Sequence, residues 1–423
     1  MSCIAVIGAG YVGLTTAVCL AHLGHQVHCT DVVADRIATL RSGMTPNVEE
    51  GLGELLRQGL ASGRLLFSTD NIEAVRNAEF TFLCVPTPQG DDGRADMSYI
   101  EQVATQIGPH LAPDSIVVNK STVPVGSTRV VERVLQRSDI SVVSNPEFLR
   151  EGSAVHDFLH PDRIVIGADD EGTAMKVSGL FIRTSAPIIA TDPATAETIK
   201  YASNAFLATK VSFANAIAAL CEAAGADVRQ VVRAMGYDPR IGSDFLRPGP
   251  GWGGSCFPKD TAALVRIAED VGYDFGLLKG VITVNQEQRA RVVAKAIRMA
   301  GGSVDGKVVA LWGLTFKART DDLRDSPALD IAQKLSAQGA RVRAYDPTVR
   351  HSLDNIEICD DPYSACANAE VLIVATEWDE LRWLDFAKVG EVMASRTIMD
   401  ARNLLEPSML YELGFMYEGI GLA

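Results

Sequence analysis

The stretch that most constrains the fold is residues 3–31, where "CIAVI" runs into "GAGYVG", then "LTTAVCLAHLG", then "QVHCTD". It reads as a buried strand, a glycine turn, an apolar-faced helix ending at Gly24, and a second strand ending at Asp31. Gly8, Gly10 and Gly13, with Tyr11 and Val12 between them, hold the G-x-G-x-x-G spacing. Such glycines permit a tight turn and let a pyrophosphate approach the helix N-terminus, while the acid accepts ribose hydroxyls. A glycine triplet alone is a weak signal. Here strands lie on both sides and Asp31 follows Gly13 by eighteen residues, so a dinucleotide is expected. Arg36 would suit a 2′-phosphate, but Asp31 would repel it, which favours NAD over NADP.

Further strands are expected at 79–88, 115–124, 140–149 and 163–168, each ending in polar, Gly or Pro residues where a parallel sheet presents its ligand-facing loops. From about Ala194 the texture changes to an Ala-rich run without Gly or Pro until Gly225, long enough for eight turns of helix. Helices including 261–272 and 287–302 continue this middle region. The opening pattern then recurs in "KVVALWGLTFK", "SPALDIAQKLSAQGA" and "RVRAYDP", ending at Asp346, without the full glycine fingerprint. The expected architecture is α/β: two Rossmann-like doubly wound domains, 1–193 and 303–423, joined by a helical domain, 194–302, with a long central helix.

A net charge of −14 argues against nucleic acid or an anionic membrane as partner, since phosphate binding is driven by Lys and Arg. It leaves room for a small anion held by local cations. Eight cysteines (3, 19, 29, 84, 221, 256, 359, 366) lack the spacing of a zinc site or a disulfide framework, so no metal and a reduced, cytoplasmic setting are expected. The apolar N-terminus lacks a basic n-region, and no membrane span is expected.

The chemistry concentrates in "GWGGSCFPKD", 251–260. A buried cysteine is usually a small hydrophobe. Gly253 and Gly254 pack poorly, however, and Lys259 and Asp260 suit no apolar core. The loop reads as built for close approach of a bulky group to Cys256, whose thiolate Lys259 would favour. Beside a nicotinamide, such a thiol suggests capture of an aldehyde as a thiohemiacetal, oxidation to a thioester, and hydrolysis. Lys200 and Asn204 lie four apart on the long helix and so share a face; an ammonium and an amide there make two donors for a developing oxyanion. Glu147 and Glu151, in "SNPEFLREG", supply carboxylates for acid–base work or simply charge a surface turn. "CVPTP" and "NKSTVPVGST" read as cofactor-lining or plain turns. Lys317 and Arg324, in "FKARTDDLRDSP", read as anion-binding or surface cations.

Taken together, "GAGYVG", "NKSTVPVGST", "NPEFLREG", "KYASNAFLATKVSFANAIAALC", "GGSCFPKD" and "GLTFKARTDDLRDSP" resemble the UDP-glucose/GDP-mannose 6-dehydrogenases along essentially the whole chain. Within that family, residues 238–260 look like the branch acting on UDP-glucose; GDP-mannose or another sugar nucleotide is the alternative. A two-electron β-hydroxyacid dehydrogenase has no use for Cys256. The resemblance implies NAD-dependent, four-electron oxidation of a sugar C6 alcohol to a carboxylate. It implies Cys256 as nucleophile, Glu147 as general acid/base, Lys200 and Asn204 as oxyanion donors, Asp260 as a carboxylate positioning water or the thiol, and Thr122 as a water-ordering group.

By the same resemblance the cofactor positions are Gly8, Gly10, Tyr11, Val12, Gly13, Asp31, Arg36, Val85, Pro86, Thr87, Pro88, Gln89, Ser121, Thr122, Glu151, Lys259 and Arg324. The sugar-nucleotide positions are Glu147, Phe148, Leu149, Arg150, Glu151, Lys200, Asn204, Arg240, Phe245, Leu246, Arg247, Pro248, Gly249, Gly253, Phe316, Lys317 and Arg402. It also implies a homodimer joined through the central helix, with Arg240 entering the neighbouring subunit's site.

Overall fold

The computed structural model describes residues 1–90 and 93–422. By the density of contacts between residues the chain divides into two compact units: residues 1–203 with 262–271, and residues 204–261 with 272–423.

The first unit is built on an eight-stranded sheet. Its strands are β1 (Cys3–Ile7), β2 (Gln26–Thr30), β3 (Leu65–Ser68), β4 (Phe80–Leu83), β5 (Ile116–Asn119), β6 (Ser141–Ser144), β7 (Ile164–Gly167) and β8 (Ile188–Thr191). The order is β3-β2-β1-β4-β5-β6-β7-β8, with the switch point beside β1. Four of the strands (β4, β5, β7 and all but the first residue of β1) are buried throughout, which is why they read as unbroken apolar runs rather than alternating ones. One face packs Leu14, Val18 and Leu56; the other packs Ile100, Ile107 and Val131. The parallel order stops at β6. Strand β7 pairs with it antiparallel, so 163–168 ends at the edge opposite the ligand-facing loops, contrary to the sequence expectation for that strand.

In the second unit, helices precede a six-stranded parallel sheet. Its strands are β9 (Val308–Trp312), β10 (Arg341–Tyr345), β11 (Ile356–Ile358), β12 (Ala369–Val374), β13 (Thr397–Asp400) and β14 (Met416–Gly419), in the order β11-β10-β9-β12-β13-β14. The 32-residue helix Pro193–Ala224 links the two units along the chain and ends where Gly225 turns to φ +70°. By length and composition it is the one helix among the described residues apolar enough to cross a membrane. Its polar residues Glu197, Lys200, Asn204, Ser212 and Asn215 are nonetheless buried, and Glu197, for example, accepts from the Gly126 and Thr128 amides.

The second sheet's first turn explains its missing fingerprint. Asp346, fully buried at the end of β10, accepts hydrogen bonds from the Leu314 amide at 2.8 Å and the Trp378 indole at 3.1 Å. A β carbon on Gly313 would lie 2.3 Å from Thr376 Cβ. The position where the first unit could receive a phosphate is filled here by the chain's own groups.

Candidate active site

In the first unit the glycine turn has the geometry a dinucleotide requires. Gly8 has φ +100°, and a β carbon there would meet the Cys84 carbonyl at 2.6 Å. One on Gly13 would meet the Gly8 carbonyl at 1.9 Å, so strand and helix touch only because both residues lack side chains. Gly10 faces open space, and the helix Tyr11–His22 starts there without a side-chain cap, leaving its first amides for an anion. Asp31 takes the Ala9 amide and the Arg36 guanidinium on Oδ2, both at 2.9 Å, and the Val33 amide on Oδ1. Arg36 is thus spent on Asp31, and these residues fit NAD.

Three expected turns close around this edge. Ser121 Oγ donates to the Val85 carbonyl at 2.7 Å, and Thr87 Oγ1 to the Thr122 carbonyl at 2.8 Å, tying 85–89 to 121–122. Pro86, Pro88 and Gln89 continue that turn, and Gln89 bridges back to Ala95. Glu49, which the sequence reading passed over, accepts from Tyr11 Oη and from the Gly152 and Ala154 amides, the latter two at 2.7 Å. Burial, then Glu49 and Glu151, hold the Tyr11 phenol well above its ordinary value, so it stays neutral and anchors the glycine turn to the Arg150–Gly152 segment.

Upstream of that segment, Glu147 follows the end of β6 at Ser144. Glu147 and Lys200 are 4% and 3% exposed, and Lys200 Nζ donates to Glu147 Oε1 at 2.8 Å. The Leu149 amide holds Oε2 at 2.6 Å. Burial pushes this carboxyl up, but Lys200, the Leu149 amide and Lys120 outweigh it, and the net shift is downward. Glu147 is therefore ionised at neutral pH. Phe148 stacks under the Arg163 guanidinium at 3.7 Å, with Lys200 Nζ 5.4 Å from the same ring. Arg150 pairs with Asp157 at 2.6 Å, and Glu151 is part-buried beside it.

In the second unit Cys256 is part-buried and caps the helix Phe257–Asp270: its carbonyl accepts from the Asp260 amide at 2.9 Å. The helix starts four residues before the expected 261, with Pro258 in its first turn where no intrahelical amide is needed. A helix N-terminus lowers a thiol's pKa. Asp260, 1% exposed, takes Lys259 Nζ on one oxygen and Asn204 Nδ2 on the other, each at 2.6 Å. Lys259, expected beside the thiol, is thus paired with Asp260, and one of Asn204's two amide hydrogens is already used.

The glycines of this loop serve the chain itself. A β carbon on Gly253 would lie 2.1 Å from the Asp325 carbonyl, and one on Gly254 would lie 2.8 Å from the Phe316 ring. Both glycines are thus required by the chain's own packing as well as by the expected approach of a ligand to Cys256. Trp252 and Asn285 exchange hydrogen bonds at 2.8 and 3.0 Å, and the Trp252 indole donates to Ser212 at 2.9 Å, locking the loop's base. Trp252 and Ser212 fall inside quoted motifs but had been given no role, and Asn285 falls outside them.

Phe245 has φ +63°, a region a bulky side chain enters only when its surroundings impose it, and its ring lies 6.2 Å from that of Phe257. Leu246 and Pro248–Pro250 are buried, Arg247 is exposed, and the Gly249 amide donates to Asn215 at 2.8 Å. Arg402 reaches the Phe316 and Ala375 carbonyls at 2.9 and 2.8 Å and Glu377 at 2.9 Å. Lys317 is part-buried over the Phe316 ring. Arg324 and Arg240 are exposed and bind Asp322 and Asp238 of their own turns at 2.7 and 2.6 Å.

The chain matches the UDP-glucose/GDP-mannose dehydrogenase family in three parts: its NAD binding domain over residues 2–184, its central domain over 194–287 and its UDP binding domain over 310–407. A UDP-glucose 6-dehydrogenase of Rhizobium meliloti (strain 1021) is 45% identical over 432 residues, covering 99% of each chain. One of Bacillus subtilis (strain 168) is 46% identical over 428 residues, covering 99% of this chain and 97% of its own. The solved structure of a UDP-glucose dehydrogenase from Pyrobaculum islandicum superimposes with a TM-score of 0.91 at 38% identity, covering 100% of this chain and 98% of that one.

Proposed function

From membership of the UDP-glucose/GDP-mannose dehydrogenase family, we propose that this chain oxidises the C6 alcohol of UDP-glucose to the carboxylate in two steps through Cys256. The observation that carries this reading is the thiol at a helix N-terminus, next to a buried Asp260 that is bonded to Asn204 and Lys259. NAD, when bound, supplies the hydride acceptor for both oxidations.

The C6 alcohol first gives up a hydride and releases its hydroxyl proton to water, leaving the aldehyde; Cys256 then adds to it as thiolate, and the carbonyl oxygen becomes the oxyanion of a thiohemiacetal. Lys200 and the second amide hydrogen of Asn204 donate to that oxygen. Loss of hydride from C6 leaves a thioester, and water cleaves its C–S bond, returning the thiol and the carboxylate. Glu147 receives the water's proton. Its lowered value makes it a weak base, so its contribution is chiefly to orient that water. Asp260 holds Asn204 and Lys259 in place, and Thr122 belongs to the cofactor turn. Arg402, Lys317 and the Phe245–Gly249 segment are assigned to the sugar nucleotide, and Arg324 to the cofactor.

We assign the reaction to the cytoplasm, where the thiol stays reduced. The assay is direct: with UDP-glucose limiting and NAD in excess, absorbance should plateau at two NADH per sugar. A plateau at one marks a simple alcohol dehydrogenase.

The central helix is proposed as the dimer seam. Phe206, Phe213 and Leu220, seven residues apart on one face, are 65%, 49% and 61% exposed. That spacing is the stripe two helices bury between them. Arg240, with its side chain 87% exposed and paired with Asp238, is assigned to a second copy's site. In sedimentation velocity the wild-type chain should run as a dimer and Phe213→Glu as a monomer. A wild-type monomer at micromolar concentration contradicts the assignment.

A further inference from the structure

One buried cation, inside "NKSTVPVGST", has been given no role above. Lys120, directly after β5, is 5% exposed, and its ammonium donates to Asn145 Oδ1 at 3.0 Å. Asn145 Nδ2 donates in turn to the Val165 carbonyl at 2.8 Å, so Lys120 fixes the residue that starts the Asn145-Pro146-Glu147 turn. The Phe158 and Phe181 rings stand about 6 Å from the same ammonium (6.0 and 5.9 Å), and it lines a cavity of about 110 Å³. Glu147, Lys200 and the Cys84 thiol act on it electrostatically. Across the cavity stand Arg150, His156, Asp157, His160, Asp162 and Arg163.

The charge count gives this lysine a purpose. Lys200 and Glu147 form a neutral buried pair, and a neutral pair offers a developing oxyanion little net attraction. Lys120 raises the cluster to one positive charge. We propose that Lys120 is a positioning residue for the reaction: it holds the Glu147 turn through Asn145, and its charge gives the buried cluster the net positive charge that the Lys200 ammonium presents to the oxyanion. This rests on the roles proposed for Glu147 and Lys200.

Burial holds the Lys120 ammonium down to about 8, against partial compensation by Glu147 and Cys84. Because the folded value lies below the ordinary one, the charged lysine costs stability at neutral pH, and that cost fades as pH rises from about 8 toward the ordinary lysine value. A residue kept at such a cost is better explained by function than by stability.

The test is the pH profile of kcat for Lys120→Arg and Lys120→Met in the full enzyme with NAD and UDP-glucose saturating. Wild-type kcat should fall as pH rises through about 8. Lys120→Arg keeps its charge, so its plateau should extend at least one pH unit further. Lys120→Met should lose roughly 10- to 100-fold in kcat at neutral pH, with KM for UDP-glucose within about threefold, and its melting temperature should not fall in parallel. An alkaline limb unmoved in Lys120→Arg overturns the proposal, even if Lys120→Met fails to fold. Glu147→Gln, measured alongside, separates the two readings. Unchanged kcat there removes the role assigned to Glu147, whereas a loss there with an unmoved Lys120→Arg limb removes the Lys120 proposal alone.

Discussion

Cys256→Ser should lower kcat at least about 1,000-fold while leaving the affinities for NAD and UDP-glucose close to those of the parent. The substitution exchanges one atom at a part-buried position and leaves the backbone cap of the helix Phe257–Asp270 intact, so the fold should tolerate it. What is lost is nucleophilicity. A helix N-terminus favours the thiolate of a thiol, whereas an alcohol there stays protonated. The serine ester formed in slow turnover is also a poorer acyl donor to water than a thioester. Isothermal titration with each ligand, together with steady-state rates, separates binding from chemistry. Near-normal kcat would make the thiol structural.

Lys200→Ala should do double damage. It removes an oxyanion donor, worth on the order of 100- to 1,000-fold in kcat. It also strands Glu147, a carboxylate 4% exposed, and losing one partner of a buried pair costs about 3–5 kcal/mol. The pH dependence carries the signature. In the parent, Glu147 is depressed, so its contribution is present above the ordinary carboxylate range and is lost as pH falls through the lower folded value. In the variant burial dominates, the folded value rises above the ordinary one, and the carboxylate is tolerated only when protonated. The gap in melting temperature between parent and variant should therefore be widest at neutral pH and close toward pH 4. A gap independent of pH would mean that the lysine is merely packed there.

The periodic part of the fold was legible because buried parallel strands and an uninterrupted Ala-rich helix leave strong patterns. Strands β3 and β8 were missed: each has four residues, too short to stand out even where β3 buries Leu65 and Phe67, and the β8 residues are exposed or half-exposed at the sheet's edge. The reversal at β7 was invisible, because strand direction depends on how the connection Asn145–Arg163 folds and the apolar run "RIVIG" is the same either way.

Cys256, Lys200 and Asn204 were singled out from residue type and spacing alone, and the fold buries Lys200 against Glu147 and Asn204 against Asp260. Glu49 and Lys120 were not readable. A glutamate in a loop and a lysine in a Lys-Ser-Thr turn are ordinarily solvated, and only the tertiary fold buries them among amides and aromatic rings. At Gly253 and Gly254 the sequence shows that a β carbon is absent, but not that the Asp325 carbonyl and the Phe316 ring stand in its place.

The covalent route through residue 256 is tested most directly by mass spectrometry of the Cys256→Ser enzyme after incubation with NAD and UDP-glucose. The peptide spanning residue 256 should gain the mass of the acyl sugar nucleotide, or of its acyl sugar after loss of the nucleotide. The same peptide from a control lacking NAD should be unmodified. An unmodified peptide in an enzyme that still releases NADH and carboxylate would contradict the account, since oxidation would then proceed without a bond to this side chain.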